Sequence, residues 1–353
     1  VRRRAGQING PPATAWNVRG KSIMNTVGII ANPASGRDIR RLVAYGTVFD
    51  NQEKVNIVRR ILLGLAAAQT RQVFFMPDYF GIVRQAAEGV SRTQPLPLEI
   101  QPADICLTGT QIDSAAAAAA MAESGVDCIV TLGGDGTNRM VAKECGDIPL
   151  IPVSTGTNNV FSVMVEGTIA GIAAGVVAAG AATSPGVRRR TKKLVIEKNN
   201  RPVDIALVDA VVLDSRFIGS RAVWNVEGIR QIVLTRGEPH NIGISSIGGH
   251  ISPVGPFERK GLAIDCTSPT STVLAPIAPG LIVPVPFGTT REIQIGEAVE
   301  IGRTPCLIAV DGEREIEVGA DAGVGIRLTG EGPMVVDIRA ALAEAAARGY
   351  FRR

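Results

Sequence analysis

Residues 126–137 read Val-Asp-Cys-Ile-Val-Thr-Leu-Gly-Gly-Asp-Gly-Thr, an apolar run that leads into a glycine-rich turn. The apolar run, 126–132, is nearly continuous rather than alternating, which predicts a strand of a parallel sheet that is buried on both faces. The turn that follows holds one carboxylate, Asp135, and one hydroxyl, Thr137, between glycines. Glycines permit a tight turn and let backbone N–H groups approach a bulky anion closely. A turn alone would explain the glycines, but it does not require a carboxylate between them.

Residues 138–145 are predicted to form the helix that follows this turn. The N-terminus of that helix would face the same anion with the positive end of its dipole. We therefore interpret the turn as a phosphate-binding loop with Asp135 as a catalytic carboxylate. The phosphate-binding residues predicted in this loop are Gly133, Gly134, Gly136 and Thr137.

Two more apolar strands, 26–31 and 148–153, end in loops of similar composition. Each loop taken alone resembles an ordinary turn. Because open α/β sheets bind ligands at the carboxyl ends of their strands, the three loops are expected to converge on one crevice. Small hydroxyl and amide side chains beside glycine suit phosphate oxygens. The binding residues predicted here are Asn32, Ser35, Gly36, Arg37, Thr155, Gly156, Thr157, Asn158 and Asn159, with Arg139 as a further cation.

Three motifs in this order resemble the ATP-NAD kinase and diacylglycerol kinase superfamily: Asn32-Pro-x-Ser-Gly36, Gly133-Gly-Asp-Gly-Thr137 and Gly156-Thr-Asn-Asn159. The amino-acid sequence at residues 31–40 and 154–159 resembles that of the acetoin-catabolism protein X branch. The resemblance covers residues 24–340 and implies a Rossmann-like first domain of the NAD-kinase type. It also implies an all-β second domain and a C-terminus that returns to the first domain. The chain contains no Gly-x-x-x-x-Gly-Lys-Ser/Thr motif, which argues against the common NTPase folds.

The pattern along the chain also predicts two domains, because 353 residues exceed what one core usually supports. Up to residue 182, apolar strands alternate with helical patterns, which indicates βα units and a parallel sheet. The predicted helices are 53–68, 169–182 and the alanine run 115–120 with Asp113 and Ser114 as caps. Short strands between Gly- and Pro-rich turns then predict an all-β domain without a long helix, with strands at 193–197, 205–213, 231–235, 306–310 and 325–328. The predicted boundaries are an extension or tag at 1–23, the α/β domain at 24–185, the β-rich domain at 186–332, and a C-terminal segment at 333–353 that ends on a helix, 339–348.

The second domain carries another candidate for chemistry, Leu307-Ile-Ala-Val-Asp-Gly-Glu313, in which two carboxylates flank Gly312. A hairpin tip explains Asp-Gly well, with 314–318 as the returning strand. Lipid kinases of the superfamily have a matching Asp-Gly-Glu, whose Glu acts as general base. The resemblance therefore implies Glu313 as a base and Asp311 as a positioning or metal-linked carboxylate. It leaves open whether Asp135 or Glu313 takes the proton.

The acceptor side departs from both branches of the superfamily. NAD kinases carry an Asn-Glu pair where this chain has Val208 and Asp209, so one amide contact is lost. Their Thr-Pro-Thr-Gly-Ser-Thr-Ala-Tyr element survives only as Ser268-Pro-Thr-Ser-Thr272, without glycine or tyrosine. The Gly-Thr-Gly-Asn-Asp of lipid kinases is altered at Asn158 and Val160. The sequence thus gives stronger support for a site that binds the phosphate donor than for a site that binds any one acceptor.

These patterns predict an enzyme that transfers a phosphoryl group from ATP, or from polyphosphate, to a hydroxyl with Mg²⁺. NAD is the favoured acceptor. The alternatives are a lipid or small-polyol kinase, and a catalytically inactive nucleotide-binding regulatory protein linked to acetoin catabolism.

Composition sets further limits on the class of protein. A net charge of +4 and 4% aromatic residues argue against nucleic-acid binding. Five widely spaced cysteines suit reduced thiols in a cytoplasmic protein, and the two histidines, His240 and His250, are interpreted as surface residues rather than metal ligands. The most apolar helix, 169–182, is too short to span a membrane. We also expect a homo-oligomer.

Overall fold

The computed structural model describes residues 25–36, 45, 49–214, 226, 228–320 and 323–352. It confirms the predicted fold class: an α/β domain with a mostly parallel sheet precedes a β-rich domain, and the C-terminal helix returns to the α/β domain. The predicted N-terminal extension and the predicted phosphate ligand Arg37 lie outside the described residues.

The main sheet of the first domain has seven strands in the described ranges, β1 Thr26–Ala31, β2 Gln72–Phe75, β3 Glu99–Pro102, β4 Cys128–Gly133, β5 Leu150–Ser154, β6 Arg188–Arg190 and β19 Met334–Val336. Their order is β3-β2-β1-β4-β5-β19-β6. All neighbours pair in parallel except β19 and β6. Because the order reverses between β1 and β4, the carboxyl ends of these two strands flank the position where such sheets bind ligands.

Helices cover both faces of this sheet: α1 Asn51–Ala67, α2 Ile82–Ser91, α3 Ile112–Glu123, α4 Asp135–Ala142, α5 Gly167–Ala178 and α7 Ile338–Ala347. On β4, Cys128, Val130 and Leu132 join the core on the side of α1, α2, α5 and α7, whereas Ile129 joins the core on the side of α3 and α4. Both faces are therefore buried, which explains the continuous apolar run and confirms the prediction of a parallel-sheet strand.

Several predicted helix positions need correction. Helix α4 begins at Asp135 rather than at 138, so the second half of the glycine-rich turn is already helical. Helix α5 ends at Ala178 rather than at 182, and Gly180, with a φ of +65°, takes the left-handed conformation just after it. Asp113 does not cap α3 but accepts hydrogen bonds from the N–H groups of Thr108 and Gly109 in the preceding loop.

The second domain is built from two packed sheets and a hairpin. Its strands in the described ranges are β7 Lys193–Lys198, β8 Arg201–Ala206, β9 Asp209–Asp214, β10 Ile229–Leu234, β11 Lys260–Asp265, β12 Ser271–Ala278, β13 Leu281–Phe287, β14 Thr290–Gln294, β15 Ala298–Glu300, β16 Cys306–Val310, β17 Glu313–Val318 and β18 Val324–Thr329. The sheet β14-β11-β10-β9-β16-β17 packs against the sheet β15-β18-β7-β8 through one apolar core. Its other face is covered by the β12-β13 hairpin and by a short helix, α6 Ser245–Ile251, which the sequence pattern did not predict.

The C-terminal segment packs on the first domain, as predicted. Strand β19 pairs with β5, and α7 packs against α5 after an N-cap hydrogen bond from Ala340 N–H to Asp337. The Tyr350 hydroxyl donates to the carbonyl of Ala68 at 2.6 Å, at the end of α1. No helix among the described residues is long and apolar enough to cross a membrane.

Candidate active site at the carboxyl edge of the parallel sheet

The three loops singled out in the sequence meet at the carboxyl ends of β1, β4 and β5. Asn32 Nδ2 donates to Thr137 Oγ1 at 2.9 Å, which joins the first loop to the second. The hydroxyls of Ser35 and Thr155 lie 3.0 Å apart, which joins the first loop to the third. The structure therefore brings these predicted residues into one crevice around the N-terminus of α4.

A buried lysine that sequence reasoning missed holds the first loop in place. Lys54 on α1 is fully buried, and its Nζ donates to the carbonyls of Asn32 at 2.8 Å and Ser35 at 2.6 Å. It also donates to Asn51 Oδ1 at 3.1 Å. Satisfying backbone carbonyls with a buried cation fixes the loop and raises the positive potential beneath it. Its position four residues before the buried Val58 places Lys54 on the apolar stripe of α1, which is the signal that could have identified it.

Neighbouring side chains lie close to the glycines of the second loop. A Cβ at Gly133 would lie 2.5 Å from the Thr137 side chain, and a Cβ at Gly134 would lie 2.8 Å from Asn159 Oδ1. A Cβ at Gly136 would lie 3.2 Å from Oε1 of Glu313. These glycines therefore let the other loops and the second domain approach the first turn of α4 closely.

Hydrogen bonds within the third loop stabilise its conformation, and the loop faces the second domain. Asn159 Nδ2 donates to Ser154 Oγ at 2.7 Å, and Ser154 Oγ donates to the carbonyl of Gly156 at 2.8 Å. Thr155 is buried, while Thr157 and Asn158 are only partly buried. Asn158 Oδ1 would lie 3.6 Å from a Cβ placed on Gly243, so this loop borders the start of α6.

Asp135 is buried at the start of α4, and backbone donors surround its carboxylate. Oδ2 accepts from the N–H of Val160 at 2.8 Å, and Oδ1 accepts from Phe161 at 2.9 Å and Ser162 at 3.1 Å. Burial raises the pKa of Asp135, whereas these N–H groups and the charge of Arg236 oppose that rise. The carboxylate thus fixes the chain that leaves the third loop, and its role as a catalytic group stays a prediction.

Asp311 has a matching environment in the second domain. It forms the Asp311-Gly312 tip between β16 and β17, with φ of +49° and +80°, so the hairpin interpretation is confirmed. Its carboxylate accepts from the N–H groups of Leu207 at 3.0 Å and Val208 at 2.8 Å. Burial raises the pKa of Asp311 to about 7, against the opposing charge of Arg139 and the N–H of Leu207.

The predicted strand 205–213 is wrong in one respect, and Asp311 gives the reason. The run is split into β8 and β9 at Leu207 and Val208, whose N–H groups turn to the Asp311 carboxylate instead of a neighbouring strand. The partner lies 104 residues away from Leu207 in sequence, so the continuous apolar run conceals the break.

Glu313 extends from the same hairpin to the first domain. The Glu313 side chain is partly buried and lies against Gly136, because its Oε1 would be 3.2 Å from a Cβ placed on that glycine. The tip is therefore both a hairpin and part of the crevice, and the two alternatives left open by the sequence are compatible.

The prediction that Arg139 contacts phosphate is wrong. Its side chain is fully buried, and its Nη1 lies 2.9 Å from Oδ2 of Asp204 on β8. The cation therefore binds the second domain rather than the crevice. Beside it, Val208 packs with Leu207 and Phe161 in a small apolar cluster between the two domains.

A magnesium site built on Asp311 finds little support in this geometry. The described residues contain no group of three or more His, Cys, Asp or Glu side chains that could hold a metal ion. The oxygens of Asp135 and Asp311 are taken up by backbone N–H groups. Of the three carboxylates predicted at the site, Asp135 lies at the start of α4, and Glu313 comes from the second domain to lie against Gly136 in the first turn of that helix.

Comparisons with known proteins agree with this architecture. Residues 27–181 match the ATP-NAD kinase N-terminal domain, and residues 192–331 match the acetoin catabolism protein X C-terminal domain. The chain is 38% identical over 341 residues to acetoin catabolism protein X of Cupriavidus necator, which covers 94% of this chain and 95% of that protein.

The fold is also found in a solved structure. Yeast NADH kinase complexed with NADH aligns with a TM-score of 0.50 and 14% identity, covering 94% of this chain and 89% of that chain. At this identity the likeness shows a shared fold. Together with the sequence match, it confirms the resemblance noted from the motifs. The chain belongs to the acetoin catabolism protein X family, whose second domain is joined here to a first domain of the ATP-NAD kinase type.

Proposed function

We propose that this protein is an ATP-dependent kinase that transfers the γ-phosphoryl group to a hydroxyl, with NAD as the favoured acceptor. One observation carries the proposal. Three glycine-containing loops are hydrogen-bonded to one another around the N-terminus of α4, and the second domain brings Glu313 against that same helical turn. A phosphate crevice and a carboxylate from the facing domain are the parts that phosphoryl transfer needs.

The phosphates of the donor would lie at the start of α4. The N–H groups and the dipole of that helix favour an anion, and Lys54 adds positive charge beneath the adjoining loop. The small side chains of Asn32, Ser35 and Thr155 border the same place. Most of the catalytic effect in phosphoryl transfer comes from positioning and charge stabilisation, which a rigid set of loops supplies.

Glu313 is our candidate for the group that accepts the proton. The acceptor oxygen forms a bond to the γ-phosphorus as the bond to the β,γ-bridging oxygen breaks, and ADP leaves. The hydroxyl proton passes to the Glu313 carboxylate. Three N–H groups of the chain that leaves the third loop hold the oxygens of Asp135, so we assign this carboxylate the role of orienting that loop. Mg²⁺ would neutralise phosphate charge when bound with the nucleotide, but these residues do not present a preformed protein site for it.

Two observations favour alternative acceptors or roles. Val208 is buried in the interdomain cluster, and its N–H is engaged by Asp311, so it offers no polar side chain to a dinucleotide. This removes one contact that the superfamily's NAD kinases make, and it is the argument for a lipid or small polyol as the alternative acceptor. The engagement of both aspartates by backbone N–H groups would also suit a nucleotide-binding regulatory protein without catalysis.

A ligand screen separates these possibilities. The thermal unfolding of the purified protein is measured with ATP, NAD, NADP, glycerol-type polyols and diacylglycerol micelles, each with and without Mg²⁺. A ligand at 100 times its Kd stabilises the protein by about 2.7 kcal/mol. We expect stabilisation by ATP and NAD, and transfer of labelled phosphate from ATP to the ligand that stabilises. Stabilisation by ATP without transfer to any acceptor would favour the regulatory role, and no response to ATP would refute the proposal.

A further inference from the structure

Arg139 joins the two domains through buried charges. It lies on α4, four residues after Asp135, and contacts two carboxylates of the second domain. Nη1 is 2.9 Å from Asp204 Oδ2, and Nε is 3.9 Å from Asp311 Oδ2. Lys143, the C-cap residue of α4, reaches the other oxygen of Asp204 at 2.7 Å.

A second arginine crosses the interface in the opposite direction. Arg236 follows β10 of the second domain, and its Nη2 donates to the carbonyl of Val160 at 2.6 Å. Its guanidinium lies 5.2 Å from the centre of the Phe161 ring in the first domain. The positive charge of Arg236 also acts on Asp135, whose oxygens accept hydrogen bonds from the N–H groups of Val160 and Phe161.

The arrangement is reciprocal. In each domain one carboxylate is held by consecutive N–H groups of its own domain, and the charge of an arginine from the other domain acts on it. Asp311 lies 3.9 Å from Arg139, whereas Arg236 acts on Asp135 from its hydrogen bond to the carbonyl of Val160. Each arginine therefore joins a turn of one domain to the backbone or helix of the other.

The Arg139 contact has a direct consequence for Glu313, which follows Asp311 by two residues. The tip of the hairpin is held on one side by hydrogen bonds from the N–H groups of Leu207 and Val208, and on the other side the Arg139 guanidinium lies 3.9 Å from Asp311 as an ionic contact. In this arrangement the Glu313 carboxylate lies against Gly136. A shift of the tip would move this carboxylate away from the first turn of α4.

We propose that Arg139 is a positioning residue, which sets the location of Glu313 in the crevice by holding Asp204 and the Asp311 tip on α4. The kinetic part of this inference rests on the proposed kinase function, whereas the structural part does not. A planar guanidinium can point different nitrogens at two carboxylates on two strands, and a lysine ammonium acts as a point charge on a flexible stem. Arg139→Lys therefore keeps the charge and loses the two-point contact.

The structural part is tested by hydrogen exchange measured by mass spectrometry on the full chain. In Arg139→Lys, we expect exchange to accelerate by about 10-fold or more in peptides that cover 204–211 and 309–316. Peptides from α1 and α2 should be unchanged. Arg327→Lys is the matched control, since Arg327 pairs with Glu197 through two nitrogens within the second domain. In this control, the exchange rates of the peptides that cover 204–211 and 309–316 should be unchanged.

The kinetic part is tested with the same variants. We expect kcat to fall by roughly 10- to 100-fold in Arg139→Lys, the scale of a misplaced catalytic group, while KM for ATP changes little. Unchanged exchange at 204–211 and 309–316, or uniform acceleration across the chain, would overturn the inference. Equal kcat in the variant and parent would also overturn it. If the parent transfers no phosphate, the proposed function fails, and the exchange measurement still decides whether Arg139 holds the tip.

Discussion

The substitution Lys54→Met tests whether this buried lysine organises the first loop of the phosphate crevice. Methionine has nearly the same length and shape, so the change removes the charge and its hydrogen bonds without opening a large cavity. It leaves the carbonyls of Asn32 and Ser35 and the amide oxygen of Asn51 without their shared donor. All three acceptors lie at or below the first loop of the crevice.

The expected loss follows from the contacts. Lys54 Nζ also donates to the carbonyl of Pro33 at 3.4 Å. A hydrogen bond to a charged group contributes about 1.5–3 kcal/mol, so the three shorter bonds alone have a gross value of about 5–9 kcal/mol. The cost of burying an ammonium, several kcal/mol, offsets part of this value. We therefore expect Lys54→Met to destabilise the first domain by about 2–4 kcal/mol. Because the first loop then loses its anchor, affinity for ATP should fall by about 10-fold or more, where a tenfold change equals about 1.4 kcal/mol.

Urea denaturation and calorimetric titration with ATP provide the two measurements. Lys198→Met is a matched control, because the Nζ of Lys198 makes one exposed contact to the carbonyl of Glu317 at 3.4 Å. The control should stay within about 0.5 kcal/mol of the parent. Equal stability and equal ATP affinity in Lys54→Met and the parent would refute the reasoning that this buried cation organises the loop.

Two further predictions concern the buried aspartates. Burial raises the pKa of Asp311 from 3.8 to about 7, so between these values the folded chain binds a proton that the unfolded chain releases, and stability should fall as pH rises from 4 to 7. The decrease in the free energy of unfolding due to Asp311 is on the order of 3–4 kcal/mol. Urea denaturation at several pH values in this range should show that stability depends less steeply on pH in Asp311→Asn than in the parent. An equal pH dependence in the two proteins would contradict the raised pKa of Asp311. Asp135→Asn turns an amide N–H₂ toward the N–H of Val160, and we expect a loss of about 2–4 kcal/mol measured by denaturation at pH 7.5, with an unchanged free energy of unfolding as the contrary result.

The sequence was most informative where the pattern was local. The continuous apolar run before Gly133 predicted β4 because both of its faces are buried in helices. The strand-end loops were predicted to converge because parallel strands share one carboxyl edge, and the hydrogen bond between Asn32 and Thr137 joins two of them. The Asp-Gly pair at 311–312 predicted a hairpin because its positive φ values suit those residues.

The remaining features depend on partners distant in sequence. The start of α4 at Asp135 was missed because the Gly-Thr that follows is a poor helix former, and its helical conformation is supported by contacts with other loops. The break between β8 and β9 depends on Asp311, and the role of Arg139 depends on Asp204. A charged residue is ordinarily assigned to solvent, so the burial of Arg139, whose acceptor Asp204 lies 65 residues away, is not predicted.

Phosphoryl transfer to NAD with Glu313 as the base is tested by the rate at which NADP forms from NAD and ATP with Mg²⁺, measured for the parent and for Glu313→Gln. Glu317→Gln is the control on the same strand, since this exposed residue lies away from the tip. We expect NADP formation by the parent and by the control. In Glu313→Gln we expect the rate to decrease by about 100-fold or more, the scale of a general base, with little change in ATP affinity. NADP formation at an equal rate in Glu313→Gln would contradict the role of this carboxylate, and no NADP formation by the parent would contradict NAD as the acceptor.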